Sequence, residues 1–220
     1  MRKSVRNHGL SQAMFGLFAV FLLFMSLAGH RQYNEEQTDH GESTVGYVEY
    51  LTTGHFVEAV FENWESEFLQ MGGFVLLTVF LRQRGSPESK KMEGDEAVDE
   101  DPRHADGDDA PWLARTGGVK LWLYERSLTI ALFALFFLSF ALHAAGGARE
   151  YSAEQVAHGG ASVGTLAYLK TSQFWFESFQ NWQSEFLAVG VLVVLSIYLR
   201  QRGSPESKPV AASHAETGTG

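Results

Sequence analysis

Two carboxylates stand where an acid is costly. Glu67 and Glu185 each precede an apolar run, in the matching frames Asn63-Trp64-Glu65-Ser66-Glu67-Phe68 and Asn181-Trp182-Gln183-Ser184-Glu185-Phe186. Acids inside a membrane segment are expensive, and they often mark ion or proton paths. Counting back from Leu81 at about 1.5 Å per residue places Glu67 roughly 8 Å inside the hydrocarbon boundary. Asn63 and Asn181 lie one turn earlier on the same helix face and can donate to these acids. A second pattern is a carboxylate–imidazole pair at i, i+4, present as Glu36 with His40 and as Glu154 with His158. On a helix each pair shares a face, and two pairs together would offer nitrogen and oxygen ligands that suit zinc. The spacing is common by chance, so a loop hydrogen-bond network is the plainer reading and no cofactor is expected.

The elements that carry these residues are written twice. Residues 61–90 and 179–208 agree at 20 of 30 positions with a constant offset of 118. The offset extends upstream without a gap, pairing Tyr33, His40, Gly46 and Tyr50 with Tyr151, His158, Gly164 and Tyr168. Such self-similarity sets the architecture before any other feature is read. Leu10 to Gly29 carries no charge, and Ser127 to Leu142 repeats that character. Twenty apolar helical residues span a bilayer core of about 30 Å. The fold class expected is therefore all-α, with four transmembrane helices at about 10–29, 62–82, 127–147 and 180–200. They form two parallel-repeat hairpins, 1–90 and 119–208, each with a short amphipathic outer segment built on Val45, Val48 and Leu51 or Val163, Leu166 and Leu169. The first run resembles a signal peptide, but its internal counterpart at 128–147 argues that it is retained.

Charge sets orientation. Fourteen of the 17 Lys and Arg residues flank one side of these helices, and only Arg31, Arg149 and Lys170 fall on the other. The positive side is cytoplasmic, which places both termini there. Arg82, Arg84, Arg200 and Arg202 are read as anchors to lipid phosphate, and Trp64 and Trp182 as outer interfacial anchors. Residues 91–118 hold most of the net charge of −9. They read as an acidic disordered linker, and 209–220 as a disordered tail. No basic stripe points to nucleic acid, and the absence of cysteine excludes thiolate and disulfide chemistry. No nucleophile elbow, HExxH or dinucleotide glycine pattern is present, so the chain reads as non-enzymatic.

The runs Tyr33-Asn34-Glu35-Glu36-Gln37, Leu51-Thr52-Thr53-Gly54-His55-Phe56, Glu62-Asn63-Trp64-Glu65-Ser66-Glu67-Phe68-Leu69 and Gln83-Arg84-Gly85-Ser86 resemble a family of bacterial integral membrane proteins of unknown function. The resemblance covers nearly the whole chain outside the linker and tail. It implies a multi-pass protein of the bacterial inner membrane and no particular activity. Copy two departs from it at Glu58, Glu62 and Glu65, which become Phe176, Gln180 and Gln183. Three functions are therefore weighed: a non-enzymatic envelope or interaction protein in contact with membrane lipids; a small ion, proton or solute channel, best built as a homodimer, with Glu67 and Glu185 near an outer vestibule; and a metal-binding membrane protein using the His/Glu pairs.

Overall fold

The computed structural model describes residues 2–102 and 110–218, with the backbone alone for 2–6. The central part of the acidic linker, with Arg103, His104, Asp106, Asp108 and Asp109, lies outside the described residues, as do the side chains of Arg2, Lys3 and Arg6. Among the described residues the chain is all-α. In order come α1 (Arg2–Asp39), α2 (Tyr47–Tyr50), α3 (Gly54–Phe80), α4 (Gly118–Glu125), α5 (Ser127–Ala157), α6 (Thr165–Tyr168) and α7 (Ser172–Tyr198). Short 3-10 turns occupy Ala97–Asp99 and Trp112–Arg115. Among the described residues, three helices are long and apolar enough to cross a membrane: α1 from Asn7, α5 and α7. Four carboxylates, at 58, 62, 65 and 67, lower the hydropathy of α3.

Several boundaries differ from the sequence expectation. α1 and α5 continue about ten residues beyond their apolar runs and end at matched glycines, Gly41 (φ +75°) and Gly159 (φ +79°). Each end is a Schellman cap: Glu42 N donates to Gln37 O and Gly160 N to Gln155 O, at 2.8 and 2.7 Å. The expected amphipathic segments are only single turns, α2 and α6. Val48 and Leu166 are 77% and 78% exposed, whereas Tyr50 and Tyr168 are buried. One buried tyrosine per copy thus replaces an apolar stripe. Thr53 and Thr171 then start α3 and α7, each hydroxyl accepting the third-residue backbone N–H at 3.3 Å, as N-caps do. α4 was not expected; its Leu121 is buried, and Arg126 stacks over Trp122 at 5.0 Å.

The compact units do not follow the repeats. One comprises Met1–Phe61 with Ala141–Phe174, the other Glu62–Phe140 with Trp175–Gly220. In the first, helices approach at glycine. A Cβ on Gly146 would stand 2.6 Å from Glu58 N, and one on Gly54 would stand 2.8 Å from Gly146 O. A Cβ on Gly29 would collide with the Tyr50 hydroxyl, and one on Gly147 would reach the Tyr168 hydroxyl at 2.6 Å. Matched glycines therefore admit matched tyrosines. In the second unit, Gly72 lies against Leu132 and Phe133, and Gly73 against Phe186. Aromatic rings fill the adjoining space, with Trp182 in edge contact with Phe136, Trp175 and Phe179 at 5.4–6.4 Å.

The ends of α3 and α7 fold into the same hydrogen-bonded turn. Ser89 and Ser207 hydroxyls accept the N–H of Gln83 and Gln201 at 2.8 and 2.9 Å, and Gly85 and Gly203 take φ of +85° and +87°. α3 stops at Phe80, so Gly85 serves this turn and not the helix end. Lys90 then pairs with Asp99 at 2.6 Å. Its counterpart Lys208 is buried and donates to the carbonyls of Ser213, His214 and Glu216 at 3.0–3.2 Å. Gly85 N donates to Thr217 Oγ1 and Gly218 N to Ser86 O. The segment expected to be a disordered tail is thus tethered through residue 218. Its order comes from an ammonium group and main-chain bonds, which a search for apolar residues overlooks. Gly146→Ala should lower the thermal midpoint by an amount worth about 1–3 kcal/mol, because backbone has to move to admit the methyl. Gly16→Ala, which faces open space, should not. Detergent-solubilised melting curves compare the two, and equal midpoints would refute the close approach.

Candidate functional site

The acids that copy two lacks are the ones the structure uses. On α3, Glu58, Glu62 and Glu65 follow i, i+4, i+7 spacing and so share one helix face. In the first unit Tyr168 Oη donates to Glu58 Oε1 at 3.0 Å. In the second unit Asn181 Nδ2 donates to Glu62 Oε1 at 2.5 Å, and Trp182 Nε1 donates to Glu65 Oε1 at 3.1 Å. Glu65 is fully buried. A carboxylate removed from solvent without donors costs several kcal/mol, so each partner supplies a neutral N–H or O–H.

The residues picked from the repeat are placed differently. Asn181 faces Glu62 rather than Glu185. Glu67 and Asn63 are exposed, while Glu185 is half-buried. Glu67 and Glu185 are near enough for their charges to interact. Trp182 sits in the aromatic cluster and serves Glu65; Trp64 is half-buried. Arg200 caps the end of α7, donating to the carbonyls of Ser196 and Ile197 at 3.2 and 3.1 Å, and to Ala212 O at 3.1 Å. It is occupied by helix carbonyls where a free headgroup anchor was expected. Arg82 donates to Lys91 O, and Arg84 and Arg202 are exposed.

The first unit holds a second polar cluster. The rings of His30, Tyr33 and His55 surround Tyr50 at centroid distances of 5.6–5.8 Å. Tyr50 Oη and His55 Nδ1 are 3.2 Å apart. Burial, reinforced by the Glu150 carboxylate, pushes the Tyr50 phenol up to about 12. Burial pushes the His55 imidazole below its ordinary value, partly opposed by Glu36. Which of the two groups donates follows the imidazole tautomer. Glu150 accepts the backbone N–H of His55, so a carboxylate sits at the positive end of α3. His143 is fully buried and stacks on Phe174 at 4.8 Å.

A groove of about 1420 Å³ opens beside this cluster, and Glu36, His40, Glu154 and His158 all line it. Their pairing is not the one the spacing suggested. His40 Nδ1 bonds Glu36 O and His158 Nδ1 bonds Glu154 O, both at 2.8 Å. Each ring closes the last turn of its helix through a backbone carbonyl. These four are not among the described residues whose ligand atoms converge within 4.8 Å.

The chain belongs to the family described as a domain of unknown function, DUF6766, whose model matches residues 1–219. No curated protein and no solved structure matches it.

Trp182→Phe removes a donor from a fully buried acid and should cost about 1–3 kcal/mol. Glu65→Gln keeps an accepting oxygen and should cost less; the melting midpoints of the two variants decide. His55 yields a pH prediction. Its folded value lies below the unfolded 6.5, so the unfolded chain takes up the proton first as pH falls. Stability should therefore be constant above about 6.5 and decline below it. Melting midpoints of wild type and His55→Gln between pH 7.5 and 5.5 test this, the variant losing less. Parallel curves would remove His55 as the cause.

Proposed function

We propose that the chain is a four-helix protein of the bacterial inner membrane, with α3 as the fourth crossing and both termini cytoplasmic. It acts there without catalysis, through packing, lipid contact or a partner. The observation that carries this reading is the pairing of the α3 acids within the chain. Glu62 and Glu65 meet Asn181 and Trp182, and Glu58 meets Tyr168. Paired acids make α3 compatible with lipid despite its composition, and they leave fewer polar groups to serve a transported species. The concentration of Lys and Arg near the termini and the linker supports the orientation.

A second reading, a small cation or proton channel, is favoured by the proximity of Glu67 and Glu185. A third, metal binding, is favoured by the two Glu/His pairs that line one groove. Proteoliposomes holding the wild-type chain and the double variant Glu67→Gln/Glu185→Gln separate the first two. No ion or proton flux above empty vesicles is expected; flux abolished by the double variant would establish the channel. Metal analysis of protein purified without chelator should give well under one equivalent of zinc, and one equivalent or more would favour the third reading.

A further inference from the structure

α5 is long and apolar enough to cross a membrane, and α4 leads into it with a single residue between them. That residue, Arg126, has φ −113° and ψ 7°. It stands roughly 50° from helical values on both bonds, so the helix axis changes direction there. Its carbonyl accepts the N–H of Ile130 at 2.9 Å and so opens α5. The same break recurs 118 residues earlier. α1 leaves helical geometry at His8 (φ −134°, ψ 18°), just before its apolar run, and 126 − 118 = 8. Two membrane-length helices thus each follow a short helix set off by one non-helical residue. In the first, the short helix includes Arg2, Lys3 and Arg6.

α4 has two unlike sides. At about 100° per residue, Val119, Trp122 and Leu123 share one of them. They are 72%, 51% and 46% exposed. Leu121, on the opposite side, is buried, and α4 packs on the 3-10 turn Trp112–Arg115. Tyr124 also falls on that opposite side, where it lines a cleft with Asp99, Glu100 and Asp101. Cations border the apolar side. Lys120 and Arg126 are exposed, and Arg126 lies over the Trp122 ring at 5.0 Å. Residues 115–126 hold three cations, Arg115, Lys120 and Arg126, and one acid, Glu125, a net +2.

We infer that α4 is an interfacial helix that binds anionic phospholipid. It lies in the cytoplasmic headgroup layer, with Val119, Trp122 and Leu123 at the acyl boundary and Lys120 and Arg126 at lipid phosphates. Three observations select this occupant. The uncharged stretch of α5 begins at Ser127, so an apolar α4 face lies within one turn of the bilayer. Tryptophan settles at headgroup level. The cytoplasmic leaflet is anionic and attracts cations placed next to a crossing helix. The acids at 99–101 meet α4 on its other side, away from that charge. The inference rests on the membrane orientation proposed above and names one place where lipid is contacted.

The absence of cysteine makes site-directed spin labelling clean. Single labels go on Val119→Cys and Leu123→Cys, both exposed, and on Tyr124→Cys as the opposite side. The full chain is placed in nanodiscs of phosphatidylcholine with phosphatidylglycerol, which leave both membrane faces open to reagents. Collisions with oxygen, which enters the acyl layer, are compared with collisions with a water-soluble nickel chelate. Because an interfacial helix sits roughly 5–10 Å deep, the oxygen-to-nickel ratio should be about threefold higher at 119 and 123 than at 124. Equal ratios at the three positions would overturn the inference. Low collision with both reagents at 119 and 123 would mean that protein covers the face, and overturns it as well. In phosphatidylcholine alone the difference should shrink, and the double variant Lys120→Gln/Arg126→Gln should reduce it in the anionic discs. A difference indifferent to lipid charge and to both cations would refute anionic recognition. Alkaline carbonate washing of native membranes reads the membrane assignment separately. A chain released by the wash defeats that reading, whereas a retained chain with equal ratios defeats only the role of α4.

Discussion

Much of this structure depends on one constraint, the burial of carboxylates on α3. An ionised carboxylate loses several kcal/mol of hydration when buried and regains it only through well-placed donors. Glu65, fully buried, has the indole N–H of Trp182; Glu62 has the amide of Asn181. Each bond joins α3 to α7, so the register of these two helices is tied to where the acids lie. A slide of one turn, about 5.4 Å, would break both bonds at once. Packing by Gly73 against Phe186 tolerates small shifts, whereas the hydrogen bonds do not. The polar contacts therefore specify the arrangement, and the aromatic cluster around Trp182 adds apolar burial to it.

The glycines act on a different term. Gly146 and Gly54 let backbone meet backbone in the first unit, and Gly72 does the same for side chains of α5 in the second. In lipid, no hydrophobic gain drives helices together, so close packing carries more of the association energy. The tyrosine pair shows how the two terms combine. Gly29 and Gly147 clear space into which Tyr50 and Tyr168 project their hydroxyls. One hydroxyl meets His55 and the other meets Glu58. The same backbone plan thus serves two different polar partners.

The helical class and the apolar helices were legible in the residues, because hydropathy and period are local properties. The polar site was not. Glu67 and Glu185 drew attention by being matched, yet Glu67 is exposed and the buried acid is the unmatched Glu65. Matching residues report what each stretch needs for itself, such as N-caps at Thr53 and Thr171 or the exit turns. Contacts between the copies need complementary residues, a donor on one and an acceptor on the other, and these differ by necessity. The departures at 58, 62 and 65 were the available signal. The bonds of Lys208 were not legible for a related reason: it binds carbonyls, which every sequence has, and no residue type announces that partner.

The two similar stretches differ in exposure and in charge. Leu132 and Phe136 are buried, whereas Met14 and Phe15 are exposed. The acids on α3 call for donors, and Asn181 and Trp182 on α7 supply them. Neutral residues at 176, 180 and 183 release the corresponding α7 face from that demand. The two similar stretches thus differ in charge, and the α3 stretch is the one whose acids are paired within the chain.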